Sequence, residues 1–301
     1  MKHGTYFITI GTFDGVHTGH RFLFGRLETL AAQYRLKPLV LYFPLPPKTL
    51  LSNHPEMTVL SSPEEKRVLL RQSGTPCQAL DFNLLRTLSA QQFFNRLLTH
   101  YKMGGLLVGP DFAFGKNRSG SVEFLRQACK KAQIPFHVAP FYHVGTEKIS
   151  SSLIRKTLAG GDIAGSHAFL GRPYAVTGLV IKGKQLGRKL GFPTANLDTG
   201  IYKVLPLGVF AVKVRVGRRY YDGFCNIGFR PTVNSINDKL PLVEVNIFDF
   251  KQSIYGRKIT IWFARKLRDE TKFDGLDALV ARLKADRTQA RQILRHFVFK
   301  P

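Results

Sequence analysis

The chain has 301 residues, of which 44% are hydrophobic and 22% are charged, and its formal net charge at neutral pH is +25. This balance is that of an ordinary globular protein long enough for two domains, and it excludes a disordered chain. Its apolar runs are only strand-sized and its first residues lack the apolar run of a secretion signal, so we expect a cytoplasmic protein with no membrane partner.

The charge distribution bears on which partners the protein binds, and the cysteine spacing bears on whether it has disulfides or a zinc site. The positive charges are scattered in doublets, without a basic tail, which favours a solvated basic surface over a nucleic-acid site. Such a surplus also suits polyanionic small substrates such as ATP. Cys77, Cys129 and Cys225 are far apart and form no Cys-x-x-Cys pair, which predicts free and mostly buried thiols.

The first half of the chain alternates short apolar strands with helical periodicity. Strands are predicted at residues 6–10, 39–43 and 106–108. Helices are predicted to begin near Phe22, after the N-cap residues Ser62 and Ser89, and at Val122. This alternation predicts a Rossmann-like α/β domain with a mostly parallel sheet covered on both faces.

The second half reads as consecutive strands. They are predicted at residues 174–181, 209–216, 220–227, 242–248 and 258–263. Turns rich in Gly, Pro and Asn separate them, which indicates a small antiparallel β-barrel. A closing helix should pack on the barrel through an apolar stripe of Leu276, Leu279, Val280, Leu283, Ile293, Leu294 and Phe297. The change of pattern between about Ser166 and Pro173 predicts domains at residues 1–168 and 169–301.

The loop after the first strand carries the sharpest motif of the first half, Gly-Thr-Phe-Asp-Gly-Val-His-Thr-Gly-His at residues 11–20. Because it opens a helix directly after a strand, its N–H groups and the helix dipole predict a phosphate site. The predicted ATP-binding residues of this loop are Gly11, Phe13, Asp14 and Gly19. A single histidine here would more often be a helix-start or core residue, but the pair His17 and His20 suits charge that develops on a phosphate during reaction.

Two further segments of the first half carry binding chemistry. Serines before a helix at residues 148–155, among them Ser151, cap the helix or donate to an anion, and Arg155 can hold a phosphate with its planar guanidinium. A Gly-rich, basic and aromatic loop at residues 109–121 follows a buried strand, where an open α/β sheet binds its ligands. Asp111 and Phe112 are its candidate ligand residues.

The second half contains Gly-Lys-Gln-Leu-Gly-Arg-Lys-Leu-Gly-Phe-Pro-Thr-Ala-Asn at residues 183–196. Its glycines and lysines are typical of a loop that wraps phosphates, although it is not a Walker loop. The candidate ATP-binding residues are Gly183, Gly187, Arg188, Gly191 and Pro193. Thr194 and Asn196 offer the oxygen ligands that Mg²⁺ accepts beside nucleotide phosphates. Glu244, on an otherwise apolar strand, faces either solvent or a cleft, and in a cleft it would accept a proton from a substrate hydroxyl.

These motifs together resemble the prokaryotic bifunctional riboflavin kinase/FAD synthetase family. The resemblance covers residues 8–298 and is most specific in the Gly-Phe-Pro-Thr-Ala-Asn run. Further matching segments are residues 10–20, 108–120, 149–155, 170–174, 226–232, 244–250 and 265–273. The His-x-Gly-His loop and the serine segment are shared more widely, with the nucleotidylyltransferase superfamily.

The resemblance implies two reactions. In the first domain, an FMN adenylyltransferase, FMN would attack ATP to give FAD and pyrophosphate, with His17, His20, Ser151 and Arg155 on the phosphates. In the second domain, a riboflavin kinase, Thr194 and Asn196 would hold Mg²⁺-ATP and Glu244 would be the base for riboflavin. Arg268 and Phe273 would close over the flavin.

The first domain departs from the family pattern. The run Pro44-Leu45-Pro46 replaces an acid and a histidine, Ala113 and Leu153 replace arginines, and Ser121 replaces an acid. These changes leave a second hypothesis open, a riboflavin kinase with a weak or inactive adenylyltransferase domain. A basic nucleic-acid-binding regulator explains the charge alone, and a tRNA-charging synthetase would leave the barrel motifs unexplained.

Overall fold

A computed structural model describes residues 4–51, 59–183, 185–200, 203–229 and 241–299. The first half builds a five-stranded parallel sheet from β1 (Tyr6–Gly11), β2 (Lys37–Tyr42), β3 (Cys77–Ala79), β4 (Met103–Val108) and β5 (Phe136–Val138). The strand order is β3-β2-β1-β4-β5, with every neighbouring pair parallel. The order reverses at β1, as in a Rossmann-like sheet, which confirms the predicted fold.

Helices cover both faces of this sheet. They are α1 (Thr18–Gln33), α2 (Pro47–Leu51), α3 (Pro63–Gln72), α4 (Phe82–Leu85), α5 (Ala90–Thr99) and α6 (Val122–Lys131). Alternate residues of β1 enter two cores: Ile8 packs with α5 and α6, and Phe7 packs with α1. The predicted N-caps are confirmed, since the hydroxyls of Ser62 and Ser89 accept the N–H groups of Glu65 and Gln92 at 3.1 and 3.2 Å.

After β5 the chain forms a short hairpin, β6 (His143–Val144) with β7 (Glu147–Lys148), and then α7 (Ser151–Ala159) and α8 (Ile163–Leu170). Contacts between residues divide the chain into two compact units, residues 1–151 and 152–301. The division places nearly all of α7, and α8, in the second unit. The domain boundary after residue 168 stays a prediction.

The second half closes into a six-stranded antiparallel barrel. Its strands are β8 (Ala175–Ile181), β9 (Thr194–Asp198), β10 (Gly208–Val216), β11 (Arg219–Gly228), β12 (Leu242–Ile247) and β13 (Lys258–Arg268), in the order β10-β11-β12-β9-β8-β13. The barrel confirms the predicted architecture. It contains one strand more than we predicted, β9, and β13 continues five residues beyond its predicted end at Phe263.

A short helix α9 (Leu186–Lys189) precedes β9, and α10 (Leu276–His296) follows the barrel. Ala290 and Leu294 of α10 are buried against Val209 and Phe224 of the barrel. The predicted apolar stripe is wrong at its first member, because the side chain of Leu276 is 58% exposed at the start of the helix.

The structure agrees with two predictions made from composition, the state of the cysteines and the lack of a membrane-spanning helix among the described residues. All three cysteines are free, Cys129 and Cys225 are buried, and burial raises the pKa of the Cys129 thiol to about 12. Among the described residues, no helix is both long enough and apolar enough to cross a bilayer.

Candidate active sites

The first candidate site is the loop between β1 and α1, at the carboxyl end of the sheet. His17 caps α1, and its backbone N–H donates to Nδ1 of His20 at 3.3 Å. The two imidazoles stack with 3.5 Å between ring centroids. A Cβ on Gly19 would lie 3.3 Å from the His17 ring, a tight contact that glycine avoids. The structure therefore brings the predicted histidine pair together at a helix N-terminus.

Phe13 and Asp14, which we predicted to bind ATP, are buried within this loop. The Phe13 ring is 3% exposed and packs edge-on against His20 and Phe24. The Asp14 carboxylate, 1% exposed, accepts the backbone N–H groups of Leu60 and Ser61 at 3.0–3.1 Å. These two buried side chains therefore support the loop from inside the protein. The backbone of the loop, and not these side chains, is available to a phosphate.

A fully buried lysine that sequence reasoning missed supports the same loop. The ammonium group of Lys66 donates to the carbonyl oxygens of Phe43 and Pro44 at 3.0 and 2.8 Å. Burial lowers the pKa of Lys66 to about 8, and the nearby charge of Asp14 opposes that shift. Pro44, which replaces the family's acid, is thus held through its main-chain carbonyl, a contact that does not depend on the side chain at this position.

The serine segment reaches the first loop directly. Ser151 is the first residue of α7, and its hydroxyl donates to the backbone carbonyl of Asp14 at 2.9 Å. This contact joins two predicted ATP-binding elements that are 137 positions apart in the chain. Arg155 lies one turn further along α7, half-buried, with Nη2 3.4 Å from the Ser152 hydroxyl.

The loop after β4 is held by its own aromatic side chains. Phe112 is half-buried and stacks on Phe114 at 5.6 Å, whereas Asp111 is exposed. Phe114 also pairs with Gly120 through the backbone. Ser121, where the family has an acid, caps α6 by accepting the N–H of Phe124 at 3.2 Å, so this departure has a structural role.

The second candidate site lies on the barrel, where the loop at residues 183–193 leads into β9. A Cβ on Gly183 would overlap the amide of Asn196, and a Cβ on Gly187 would overlap the carbonyl of Phe192. Gly191 has a φ of +79°, which disfavours other residues. Gly183 and Gly187 are thus required by local packing, and Gly191 by its backbone conformation. Lys184 and residues 230–232 of the motifs lie outside the described residues.

The chain that enters β9 is fixed by a neighbouring strand. The side-chain amide of Asn246 donates to the carbonyl of Pro193 at 2.8 Å. Pro193 and Arg188 are themselves exposed and line a second, smaller pocket together with Thr194. This contact places Thr194 and Asn196 at a defined register on the barrel wall.

A cavity of about 390 Å³ brings the predicted kinase residues together. It is lined by Thr194 and Asn196 of β9, Glu244 of β12, Arg268 at the end of β13 and Phe273 beyond that strand. Glu244 pairs directly with Asn196 across the two strands, so their side chains stand next to each other on the same face. Of the two orientations open to Glu244, the structure has the one toward the cleft.

The oxygen atoms in this cavity fit a nucleotide-bound magnesium ion. Thr194 contributes a hydroxyl and Asn196 an amide oxygen, and Mg²⁺ usually takes few protein ligands and completes its shell with phosphates and water. Among the described residues, no group of three His, Cys, Asp or Glu side chains forms a self-sufficient metal site. The donor set therefore suits an ion that arrives with ATP.

Arg268 is held by an acid that the sequence did not reveal. Nε and Nη2 of Arg268 donate to the carboxylate of Asp286 on α10 at 2.8–3.1 Å, and Nη1 donates to the carbonyl of Asp269 at 3.0 Å. Asp286 is fully buried and also accepts from Arg282. The Arg268 guanidinium lies 5.5 Å from the centre of the Phe273 ring, so α10 positions both predicted flavin residues.

Comparison with known proteins defines the class of the two units. The family model described as FAD synthetase matches residues 1–153, and the model described as riboflavin kinase matches residues 170–294. The two matches cover the sheet unit and the barrel unit in turn. The chain thus combines two flavin-nucleotide domains.

Curated relatives carry the same pair of domains. The chain is 34% identical to the bifunctional riboflavin kinase/FMN adenylyltransferase of Bacillus subtilis, over 96% of this chain and 92% of the relative. It is 35% identical to the protein of that name from Escherichia coli, over 95% and 91%. The chain belongs to the bifunctional riboflavin kinase/FMN adenylyltransferase family.

A solved structure shares the whole fold. It is titled a macrolide-efflux protein from Streptococcus pneumoniae, is 31% identical, and covers 97% of this chain and 95% of its own, with a TM-score of 0.84. Its title departs from the names of the curated relatives. The two domain matches cover the segments that contain the candidate site residues other than Arg155.

Proposed function

We propose that the barrel unit phosphorylates riboflavin to FMN and that the sheet unit transfers the adenylyl group of ATP to FMN, giving FAD and pyrophosphate. The observation that carries the proposal is the shared cavity of Thr194, Asn196 and Glu244. The proposal includes magnesium as the metal ion, a cytoplasmic location, and neither a membrane nor a nucleic-acid partner.

In the kinase reaction, Glu244 accepts the proton of riboflavin's terminal hydroxyl. The hydroxyl oxygen attacks the γ-phosphorus of ATP, the bond to the bridging oxygen breaks, and ADP leaves. Thr194 and Asn196 would hold the magnesium ion, which neutralises charge on the phosphates. The direct pairing of Glu244 with Asn196 supports this, because it sets the base beside the nucleotide.

In the adenylyl transfer, a phosphate oxygen of FMN attacks the α-phosphorus of ATP and pyrophosphate leaves. Because Nδ1 of His20 accepts the backbone N–H of His17, a neutral His20 carries its proton on Nε2. That N–H would donate to the phosphates, together with His17 and the backbone of the loop. Ser151 and Arg155 would bind the leaving pyrophosphate, and Asp111 and Phe112 the flavin.

Glu244→Gln is expected to lower the rate of FMN formation at least about 100-fold, because it removes the base. Conversion of added FMN to FAD should stay within about twofold of wild type, since the histidine pair proposed for that reaction lies in the other unit. The double variant His17→Ala with His20→Ala should show the reverse. Purified protein is incubated with ATP, Mg²⁺ and either flavin, and the products are separated by chromatography.

The exposed Glu147 provides a matched control, because Glu147→Gln removes a carboxylate charge outside both sites. FMN without FAD from the wild-type protein would support the kinase-only hypothesis. Loss of both activities in either variant would contradict two independent sites. Absence of flavin turnover with salt-sensitive nucleic-acid binding would favour the regulatory reading.

A further inference from the structure

The kinase cavity has polar groups on the side of Glu244 that faces away from Asn196, and the phosphoryl transfer described above does not use them. β12 lies between β9 and β11, and Glu244 pairs with Asn196 on one neighbour and with Asn226 on the other. All three line the cavity and form one row across three strands. Neighbouring side chains in such a row are about 5 Å apart.

This row gives the cavity a direction. Thr194 and Asn196, at one end, are the residues proposed to hold the nucleotide and its metal ion. The acceptor must therefore reach Glu244 from the other end, where Asn226 stands. A flavin whose terminal hydroxyl meets Glu244 brings the inner hydroxyls of its side chain to that end.

Asn226 already makes a polar contact within the cavity. Its amide nitrogen lies 3.4 Å from a carboxylate oxygen of Glu270, which also lines the cavity. This contact identifies the nitrogen and thus the oxygen of the amide. The amide oxygen is shielded from water and has no hydrogen-bond partner among the described residues, a state that a ligand hydroxyl would relieve.

The Glu270 carboxylate lies directly against the backbone of Gly228, where any side chain would overlap it. Glycine at this position therefore lets an acid enter the cavity wall. Arg268 also lines the cavity, but its three nitrogens already donate to Asp286 and to the carbonyl of Asp269. It is therefore less suited to bind a substrate hydroxyl. Among the described residues, Asn226 and Glu270 are two polar groups that line the cavity and lie within hydrogen-bonding distance of each other.

We infer that Asn226 and Glu270 bind the inner hydroxyls of the flavin's polyol chain and make the kinase selective for a polyol. The inference rests on the proposed kinase function. A carboxylate and an amide oxygen both accept from hydroxyl donors, and a site built to bond a hydroxyl rejects an analogue that lacks it.

The test compares riboflavin with a flavin that bears a 5-hydroxypentyl chain, which keeps the terminal hydroxyl and lacks the inner ones. The wild-type enzyme should prefer riboflavin in kcat/KM by at least about tenfold. Asn226→Ala should reduce that preference about tenfold by lowering kcat/KM for riboflavin alone. Glu270→Ala, at an exposed residue, should act in the same direction without a folding defect.

Leu279→Ala is the control, because Leu279 lines the same cavity with an apolar side chain. It should affect both flavins equally and leave the preference unchanged. A wild-type preference that survives in both the Asn226 and the Glu270 variants, or a wild type that uses both flavins equally, would overturn the inference. Absence of phosphorylation of either flavin by the wild type would instead remove the proposed kinase function.

Discussion

Lys66 shows how a single buried charge supports the adenylyltransferase loop. Its side chain is fully buried, yet its ammonium group has two carbonyl acceptors and the Asp14 carboxylate nearby. A charge in such a place is tolerated only because it is paired. Lys66 therefore links the segments that follow β1 and β2.

The buried ammonium predicts a stability that depends on pH. The pKa of Lys66 is about 8 in the folded protein against 10.5 ordinarily. Between these values the unfolded chain binds more protons, so the free energy of unfolding rises with pH, by up to about 3 kcal/mol from this group. Below pH 8 the contribution is constant, because both states are protonated.

Lys66→Met should remove that rise, and urea unfolding at pH 7.5 and 10.5, followed by circular dichroism, measures it. The free energy of unfolding of the wild type, relative to that of the variant, should increase from pH 7.5 to pH 10.5. Lys130→Met, at an exposed position on α6, should keep the wild-type slope. Equal slopes in wild type and the Lys66 variant would contradict the assignment.

At the scale of elements, long periodic segments were predictable from sequence and short ones were not. The predicted start of α6 at Val122 agrees with the structure, and the capping serines located the starts of α3 and α5. The strands β3 and β5 have three residues each, too few for a period to appear. They exist because a neighbouring strand pairs with them.

The missed strand β9 has a different cause. It places Ala195, Asn196 and Leu197 in consecutive buried positions, so strict alternation of polar and apolar residues is absent. Thr194, Asn196 and Glu244 were predictable as site residues from their motifs. Asn226 was not predicted as a site residue. Its place beside Glu244 depends on cross-strand pairing, which one sequence does not display.

The tie between α10 and β13 predicts a large loss of stability. Asp286 is fully buried and binds Arg268 through two nitrogens. Removing one partner of a buried pair leaves the other charge uncompensated, so Asp286→Asn should cost about 3–5 kcal/mol in urea unfolding. The variant should also raise the riboflavin KM of the kinase, since Arg268 and Phe273 lose their support.

Asp249, just after β12, supplies the comparison because its partners lie on the same helix, α10. It pairs with Arg287 and Arg291, but its side chain is 69% exposed. Asp249→Asn should therefore cost no more than about 1 kcal/mol. Equal costs for the two variants would mean that burial does not set the strength of these pairs.

At the scale of the whole molecule, two nucleotide reactions share one strongly basic chain. The product of the proposed kinase is the acceptor of the proposed adenylyltransferase. Both reactions use ATP, a polyanion, whereas riboflavin is neutral. The kinase cavity itself contains the carboxylates Glu244 and Glu270, and its Arg268 is paired with Asp286. We therefore expect positive charge elsewhere on the chain to contribute to the attraction of the nucleotide.

The net charge of +25 therefore predicts a salt dependence that differs between the two kinase substrates. Screening at high ionic strength weakens the long-range attraction of ATP, so its kcat/KM should fall about tenfold between roughly 0.05 and 0.5 M salt. The kcat/KM for riboflavin at saturating ATP should change less than about twofold, because a neutral molecule gains nothing from the field. Initial rates at several potassium chloride concentrations, with free Mg²⁺ held constant, measure both. A parallel fall for both substrates would instead mean that salt perturbs the protein, and the basic surface would then have no part in nucleotide capture.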